Sequence, residues 1–278
     1  MTSSQSYNYD EFISYKSLNL EILPELNDYV DINYKKKKNP VWKREQKSSV
    51  TNWIIDKKIN QSDDDKLYSQ YISVLNKLTE SNFNELAKQL IGLGIKKEIH
   101  LNHLVDTIYN KAIIEIKYSN MYAKLTKELS SYYIEEDGKK VYFREILINK
   151  SQSMFLEGIS LETELDKKPS KSYKYKEQVI GCINFIGELY NNELLTNRII
   201  QSCFNSIFMR IPLKKPYIIE ILCTLIKTVS ETLLTKAPKE YDEYKTKLLL
   251  LKNNKLPNIT INKKDMFSIM DICDQYLK

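Results

Sequence analysis

Across most of the chain, apolar residues recur with the period of an α-helix, and this constrains the fold more than any other feature. Leu67, Tyr71, Val74, Leu75 and Leu78 follow the spacing i, i+4, i+7, i+8, i+11, which places their side chains on one helix face. Similar patterns cover residues 83–91, 98–114, 117–131, 141–157, 174–190, 194–209, 216–234, 238–252 and 263–277. Only 6 glycines and 7 prolines are present, fewer than sheets with tight hairpins usually need. The sequence therefore predicts an all-α fold.

Taken in order, these ten helices form five pairs that start near residues 66, 98, 141, 174–194 and 238. A period of about 40 residues is typical of HEAT-type solenoids, in which each helix pair buries its apolar face against the next pair. We therefore expect a HEAT-type α-solenoid of about five two-helix repeats over residues 63–278. Thr79 is a candidate N-cap for the second helix, and the charged segment 159–174 is expected to be a surface loop.

Residues 1–62 differ from the rest of the chain, because their apolar residues lack a helical period and their start is polar. We interpret them as a largely disordered N-terminal arm. Between Lys35 and Lys58 the arm holds nine basic residues against two acidic ones, a local charge of +7 in a chain of net charge +6. Such a run binds RNA phosphates, directs nuclear import or is simply a solvated linker. The candidate RNA-binding residues are Lys35, Lys36, Lys37, Lys38, Lys43 and Arg44.

Both tryptophans of the chain, Trp42 and Trp53, fall in the same arm. Tryptophan is costly to leave in water and is frequent at binding hot spots, so its place outside the packed repeats indicates a partner's pocket. The alternative is that the side chain folds back on the repeats. Both alternatives stay open for Trp53, whereas Trp42 favours a partner.

The sequence offers no catalytic constellation and implies no cofactor. Gly92-Leu93-Gly94 has neither the spacing nor the lysine of a phosphate-binding loop. His100 and His103 are the only histidines, and no further ligand at suitable spacing completes a metal site, so a surface or half-buried pair is expected. The four cysteines lie far apart, which is typical of buried free thiols in a reduced compartment.

Nothing in the sequence indicates a membrane segment or a secretory signal, and we expect a cytoplasmic protein. The bias toward Lys, Asn, Ile and Tyr indicates an AT-rich genome, such as that of a parasite or a large DNA virus.

Three sequence blocks resemble one family. Residues 74–129 read VLNKLTESNFNELAKQLIGLGI and then LVDTIYNKAIIEIKYSNMYAKLTKEL; residues 143–155 read FREILINKSQSMF; residues 183–196 read INFIGELYNNELLT. In order and spacing these blocks are similar to the middle domain of eukaryotic initiation factor 4G. Ser151, Cys182 and Asn184 depart from the family pattern, and the basic run that precedes the third block is reduced to KYKEQ, which puts an RNA contact there in doubt.

The resemblance implies a non-enzymatic scaffold that binds the DEAD-box RNA helicase initiation factor 4A. Trp42-Lys43 resembles the family's helicase-contacting element upstream of the repeats. Leu75, Leu78 and Phe83 occupy positions that the family needs for helicase binding. Because these three residues also lie on an apolar stripe, the alternative is that they are core residues whose loss unfolds the first repeat.

The arm also resembles a docking motif for the cap-binding protein, initiation factor 4E. Tyr7, Phe12 and Ile13 follow its Tyr-x4-Leu-hydrophobic pattern, with Phe12 in place of Leu, and can share one face of a short helix. Leu18, Leu20 and Leu23 are candidates for a second contact with that protein. The predicted function is a reduced scaffold that bridges the cap-binding protein and the helicase on mRNA. The alternatives are a protein that sequesters the helicase, a splicing or mRNA-decay factor, and an enzyme regulator built on a generic helical solenoid.

Overall fold

The computed structural model describes residues 62–160, 169–213, 217–256, 259 and 261–277. The described part holds ten α-helices: α1 (Asp63–Lys77), α2 (Phe83–Ile91), α3 (Glu98–Ile114), α4 (Ser119–Glu128), α5 (Phe143–Ser160), α6 (Pro169–Asn191), α7 (Asn197–Phe208), α8 (Ile218–Lys236), α9 (Pro238–Lys252) and α10 (Lys263–Tyr276). It also holds two strands, β1 (Tyr133–Glu136) and β2 (Lys139–Tyr142), and two short 3-10 segments, Ile116–Tyr118 and Ile211–Leu213.

The helices form five antiparallel pairs, numbered here as units 1 to 5, arranged in two layers. The first helices of the units, α1, α3, α5, α7 and α9, make one layer, and the second helices, α2, α4, α6, α8 and α10, make the other. Within the second layer α4 packs on α6, α6 on α8 and α8 on α10, and α6 also packs across the layers on α3 and α5. One continuous apolar core runs between the layers. The predicted all-α solenoid of five two-helix repeats is confirmed.

The start of α1 differs from the prediction, because the helix begins three residues earlier than the apolar pattern does. Ser62 and Asp65 form a capping box: the Ser62 hydroxyl oxygen accepts the Asp65 N–H at 3.1 Å, and the Asp65 carboxylate accepts the Ser62 N–H. Three aspartates, residues 63–65, fill the first turn, where negative charge complements the helix dipole. Residues 63–65 therefore begin the first unit.

Two glycines in α6 allow neighbouring helices to approach closely. A Cβ atom on Gly181 would lie 2.1 Å from the backbone oxygen of Ile113 in α3, and one on Gly187 would lie 2.6 Å from the Thr228 methyl group in α8. Gly187 is the glycine of the F-I-G-E-L block. This block is therefore explained by packing: Phe185, Ile186 and Leu189 are buried, and the glycine allows α8 to pack closely against them.

The β-hairpin between α4 and α5 was not predicted. Its strands are antiparallel, with Tyr133 opposite Tyr142, and they are joined by Asp137 and Gly138, which have φ angles of 51° and 75°. Two positive φ values identify a two-residue turn of type I′, for which Asp-Gly is a favoured sequence. The four residues before α5 belong to this hairpin, so α5 starts at Phe143 instead of residue 141.

The prediction of a surface or half-buried histidine pair is wrong for His100. This side chain is buried between α1 and α3, with its Nε2 atom 2.9 Å from an Asp64 carboxylate oxygen, whereas His103 is half-buried and stacks on Tyr68. Within the described residues, no group of three His, Cys, Asp or Glu side chains is placed to hold a metal ion. Similarly, no helix in the described part is long and apolar enough to cross a membrane.

All four cysteines are free and buried, as predicted. Burial raises the pKa of the Cys182 and Cys203 thiols to about 12, although a hydrogen bond between Cys182 and Tyr109 opposes the shift at Cys182. The thiol form dominates at neutral pH, so neither residue is an activated nucleophile.

Candidate functional site

One edge of the solenoid carries the connections inside the helix pairs, and we call it the loop edge. In the described part it consists of residues 78–82, 115–118, 209–213, 217, 253–256, 259 and 261–262. The first helix of each pair ends here and the second begins here, so residues from separate units lie side by side along this edge. A contact between Lys264 of α10 and Glu220 of α8, at 3.9 Å, links the starts of two second helices in this way.

A cleft of about 500 Å³ opens at the loop edge between units 1 and 2. It is lined by Leu75, Asn76, Leu78, Thr79, Glu80, Lys111, Glu115, Lys117, Tyr118, Asn120, Met121 and Tyr122. One wall is the end of α1, and the other is the junction of α3 with α4. We call this space the loop-edge cleft.

The wall from unit 1 is held by the Asn82 side chain. Its amide oxygen accepts the Thr79 N–H and its amide nitrogen donates to the Lys77 carbonyl, both at 2.7 Å. Asn82 is also the residue before α2, so the prediction that Thr79 caps this helix is wrong. The amide replaces the backbone hydrogen bonds that the chain loses where α1 ends, and it therefore fixes the turn that carries Leu78.

The wall from unit 2 is held by the Glu115 carboxylate, which bridges α3 and α4. It accepts hydrogen bonds from Lys111 Nζ at 2.8 Å and from the Tyr122 hydroxyl at 2.7 Å. Burial acts to raise the pKa of Glu115, but these two hydrogen bonds outweigh it and leave the pKa below its usual value. A carboxylate already satisfied in this way is a fixed part of the wall and offers no free base.

The three predicted helicase-binding residues that the structure describes lie in or next to the first unit's core. Leu75 is 1% exposed, Leu78 is 7% exposed, and Phe83 is partly buried against the same core. Leu75 and Leu78 line the loop-edge cleft, but their side chains are mainly buried in the core. The structure thus brings these two residues together at the cleft, and burial supports the core alternative for both.

Exposed apolar side chains lie at the junction of α3 with α4, which forms one wall of the cleft, and their exposure was not predicted. Ile114 is 71% exposed, Ile116 43% and Tyr118 56%, all within five residues of the α3–α4 junction. We call these three the proximal patch. Single exposed apolar residues are common on proteins, whereas several at one junction are a candidate interaction surface. The helical period gives no signal for them, because Ile114 is the last residue of α3 and Ile116 and Tyr118 lie past its end.

A second group lies further along the loop edge, after α7. Met209 is 75% exposed and Leu213 is 62% exposed, and we call this pair the distal patch. Neighbouring packed helices lie roughly 8–10 Å apart, so two repeats place the distal patch about 20 Å from the proximal patch. Phe267, near the start of α10 in unit 5, continues the exposed apolar series.

The remaining predicted site residues lie outside the described residues. They are the cap-binding-protein docking residues Tyr7, Phe12, Ile13, Leu18, Leu20 and Leu23, the helicase-contacting pair Trp42 and Lys43, and the RNA-binding residues Lys35, Lys36, Lys37, Lys38, Lys43 and Arg44. Their roles stay predictions from the sequence.

A family model described as "MIF4G domain" matches residues 69–274, which include every helix from α2 to α9. The chain belongs to the MIF4G domain family. The matched range contains the whole loop edge and all three sequence blocks that resemble the middle domain of initiation factor 4G.

Full-length relatives of this MIF4G chain are translation initiation factors. "Eukaryotic translation initiation factor 4G" of Cucumis melo is 28% identical over 221 residues, which cover 74% of this chain and 12% of that protein. "Eukaryotic translation initiation factor 4 gamma 3" of Homo sapiens is 30% identical over 244 residues, covering 77% of this chain and 14% of that protein. The MIF4G chain thus spans about one seventh of the length of these relatives or less.

A solved structure supports the fold of this MIF4G chain. The MIF4G domain of Trypanosoma cruzi translation initiation factor EIF4G5 aligns with a TM-score of 0.50 and 17% sequence identity, over 76% of this chain and 97% of that one. At this level of identity the likeness supports the helical solenoid and carries no information about binding partners.

Proposed function

We propose that this MIF4G chain is a non-enzymatic scaffold of translation initiation that holds the DEAD-box RNA helicase initiation factor 4A at its loop edge. The relatives that match it are initiation factors 4G, which supports a role in this process. The observation that carries the helicase assignment is the pair of exposed apolar patches on one edge of a single compact unit.

The spacing of the two patches suits a partner with two lobes. The proximal patch contacts one lobe, and the distal patch, about 20 Å away by repeat spacing, contacts the other. Because continuous packing connects units 2 and 4 through α4, α6 and α8, their separation is fixed before binding. A scaffold of this kind favours one relative arrangement of the lobes, and it biases the helicase toward that conformation.

The proximal contact combines an apolar rim with a polar cleft. Tyr118 supplies a large ring with few rotatable bonds, so it loses little conformational entropy on binding and is suited to a binding hot spot. Lys117 and Asn120 lie beside it on the cleft wall and can orient a polar group of the partner. Leu75 and Leu78 line the same cleft and are buried, so an indirect role through packing accounts for the expected importance of these positions.

The N-terminal arm supplies the remaining contacts of the proposed scaffold. Trp42 and Lys43 add a helicase contact, Tyr7, Phe12 and Ile13 dock the cap-binding protein, initiation factor 4E, and the basic run 35–58 binds mRNA phosphates. These assignments rest on the sequence motifs. An arm that holds the cap-binding protein raises the effective concentration of the helicase near the 5′ end of the message.

The helicase assignment is tested by isothermal titration calorimetry of the full chain with purified initiation factor 4A. We expect the double variant Ile116→Ser/Tyr118→Ser to weaken binding by roughly 30-fold, the effect of losing about 2 kcal/mol at a hot spot. The matched control is Ile99→Ser, since Ile99 is 60% exposed at the opposite end of α3, about 22 Å from Ile114 along the helix. Equal affinities for the double variant and the control would exclude the loop edge as the binding surface.

Helicase turnover separates the proposal from its alternative. A scaffold that favours the active arrangement of the lobes raises the ATPase rate of the helicase in the presence of RNA. A chain that binds the helicase and leaves this rate unchanged or lowers it is a sequestering protein. Met209→Ser/Leu213→Ser is expected to remove the stimulation while retaining one-lobe binding at the proximal patch. Leu234→Ser, 52% exposed at the far end of α8, is the control.

A further inference from the structure

A groove separates α5 from α7 in the first layer of units 3 and 4. The other neighbouring first helices are joined: α1 packs on α3, α3 packs on α5, and stacked rings of Phe204 and Tyr244, 4.1 Å apart, join α7 to α9. Between α5 and α7 the second-layer residue Ile186 is reached through an opening of about 320 Å³. Units 3 and 4 are therefore incompletely closed in the first layer.

The walls of this groove have the spacing of two parallel helices. From α5 they include Ile148, Phe155 and Leu156, and from α7 they include Ile199 and Cys203. The positions on α5 follow i, i+7, i+8, so the groove is about 12 Å long, or two to three helical turns. Leu156 is 44% exposed at its rim. An elongated apolar groove of this length fits one face of a short helical peptide.

In the described part of the chain, the charge that lines the groove is positive. Arg198 lines it, is exposed, and has no hydrogen-bond or ion-pair partner among the described residues. Among the described residues no carboxylate lines the groove, whose other polar residues are Gln152 and three serines. Arg144 lies at one end, where it donates to the Leu194 carbonyl, and Arg210 lies beyond the other end, where it donates to the Ser206 carbonyl.

The choice of arginine here is informative. The chain has 42 Lys and Arg residues, of which only four are arginines, and three of these four are Arg144, Arg198 and Arg210. A guanidinium group binds a carboxylate through two parallel hydrogen bonds, which an ammonium group cannot do. Three of the four arginines of this lysine-rich chain thus lie in or near an apolar groove that no described carboxylate lines.

We propose that the α5–α7 groove is a docking site for a short amphipathic helix of a partner protein, with apolar residues at i, i+3 or i+4 and i+7 and a carboxylate that pairs with Arg198. The apolar side chains fill the opening above Ile186, and the carboxylate satisfies the guanidinium at the rim. Arg198 lies at the start of α7, about 16 Å along the helix from Met209 of the distal patch, so the proposed carboxylate contact is separate from helicase binding at the loop edge.

The test is selection of peptides from a random library of about 12 residues, or roughly three helical turns, on the immobilised full chain. Enriched peptides are expected to carry apolar residues at helical spacing next to Asp or Glu. In fluorescence anisotropy, Arg198→Glu should weaken the binding of these peptides by at least about tenfold. Arg198→Lys should weaken it by less, because lysine keeps the positive charge but cannot form the two parallel hydrogen bonds. Lys227→Glu, which changes an exposed lysine of α8, is the control for charge alone.

A second variant tests the groove itself. Ser202→Trp places a large ring over an exposed lining position without removing any core side chain, and it should abolish peptide binding while circular dichroism stays unchanged. The proposal is overturned if no peptide is enriched, if the enriched peptides lack acidic residues, or if both groove variants bind them normally. A concentration-dependent dimer that Arg198→Glu dissociates would also overturn it, because the occupant would then be a second copy of the chain.

Discussion

Gly181 lets α6 cross α3 at backbone contact distance, and it shows how one residue sets the geometry of the solenoid. Alanine at this position would place its Cβ 2.1 Å from the Ile113 carbonyl oxygen, and that oxygen belongs to the backbone, which cannot rotate away. We expect Gly181→Ala to lower the free energy of unfolding by about 2 kcal/mol or more, measured by urea denaturation. Gly92→Ala is the control: its Cβ meets the nearest atom at 3.4 Å, so a change within about 0.5 kcal/mol is expected. If Gly181→Ala lowered the free energy of unfolding no more than Gly92→Ala does, α3 and α6 could move apart at low energetic cost.

Residue-level prediction from the sequence worked for the core and failed for the surface. The apolar stripe identified Leu75 and Leu78 because burial and helical period are directly linked. The same stripe could not decide whether these residues also face a partner, since an interface and a core use the same side chains. Ile114, Ile116 and Tyr118 were missed because their exposure depends on how α3 ends and α4 begins, which the period does not specify.

At the scale of elements, the β-hairpin supplies a cap that α3 lacks. The residue before α3 is Lys97, which provides no side-chain cap, and the Glu98 N–H instead donates to the Glu136 carboxylate at 2.6 Å. We expect Glu136→Ala to cost about 1 kcal/mol of unfolding free energy, the usual effect of losing a helix cap. Glu135→Ala is the matched control, because its pair with Lys140, at 3.7 Å, is exposed and contributes little. Thermal unfolding of both variants measures the difference. If Glu135→Ala lowered the unfolding free energy as much as Glu136→Ala does, Glu136 would not act as the cap of α3.

Elements were predictable where their signal is local. Ser62 and Asp65 could have given the start of α1, and Asp137-Gly138 could have given the hairpin, because both are short motifs with a known backbone geometry. The cap of α3 could not be predicted from a local motif, since Glu136 lies 38 residues from Glu98 in the chain. The opening between α5 and α7 was equally hidden, because helix spacing within a layer results from packing against the layer beneath.

At the scale of the whole molecule, the proposed scaffold separates its two partners, with the cap-binding protein on the arm and the helicase on the loop edge. We therefore expect Tyr7→Ala to weaken the affinity for initiation factor 4E by roughly 30-fold, the effect of removing a hot-spot side chain. Helicase binding should stay unchanged. Ile116→Ser/Tyr118→Ser should do the reverse. Pulldown of each purified partner on both variants measures these four affinities. Each variant is the other's control: Tyr7→Ala should still bind the helicase, and Ile116→Ser/Tyr118→Ser should still bind the cap-binding protein. If either variant weakened both partners equally, the two sites would not be independent and the bridging function would be wrong.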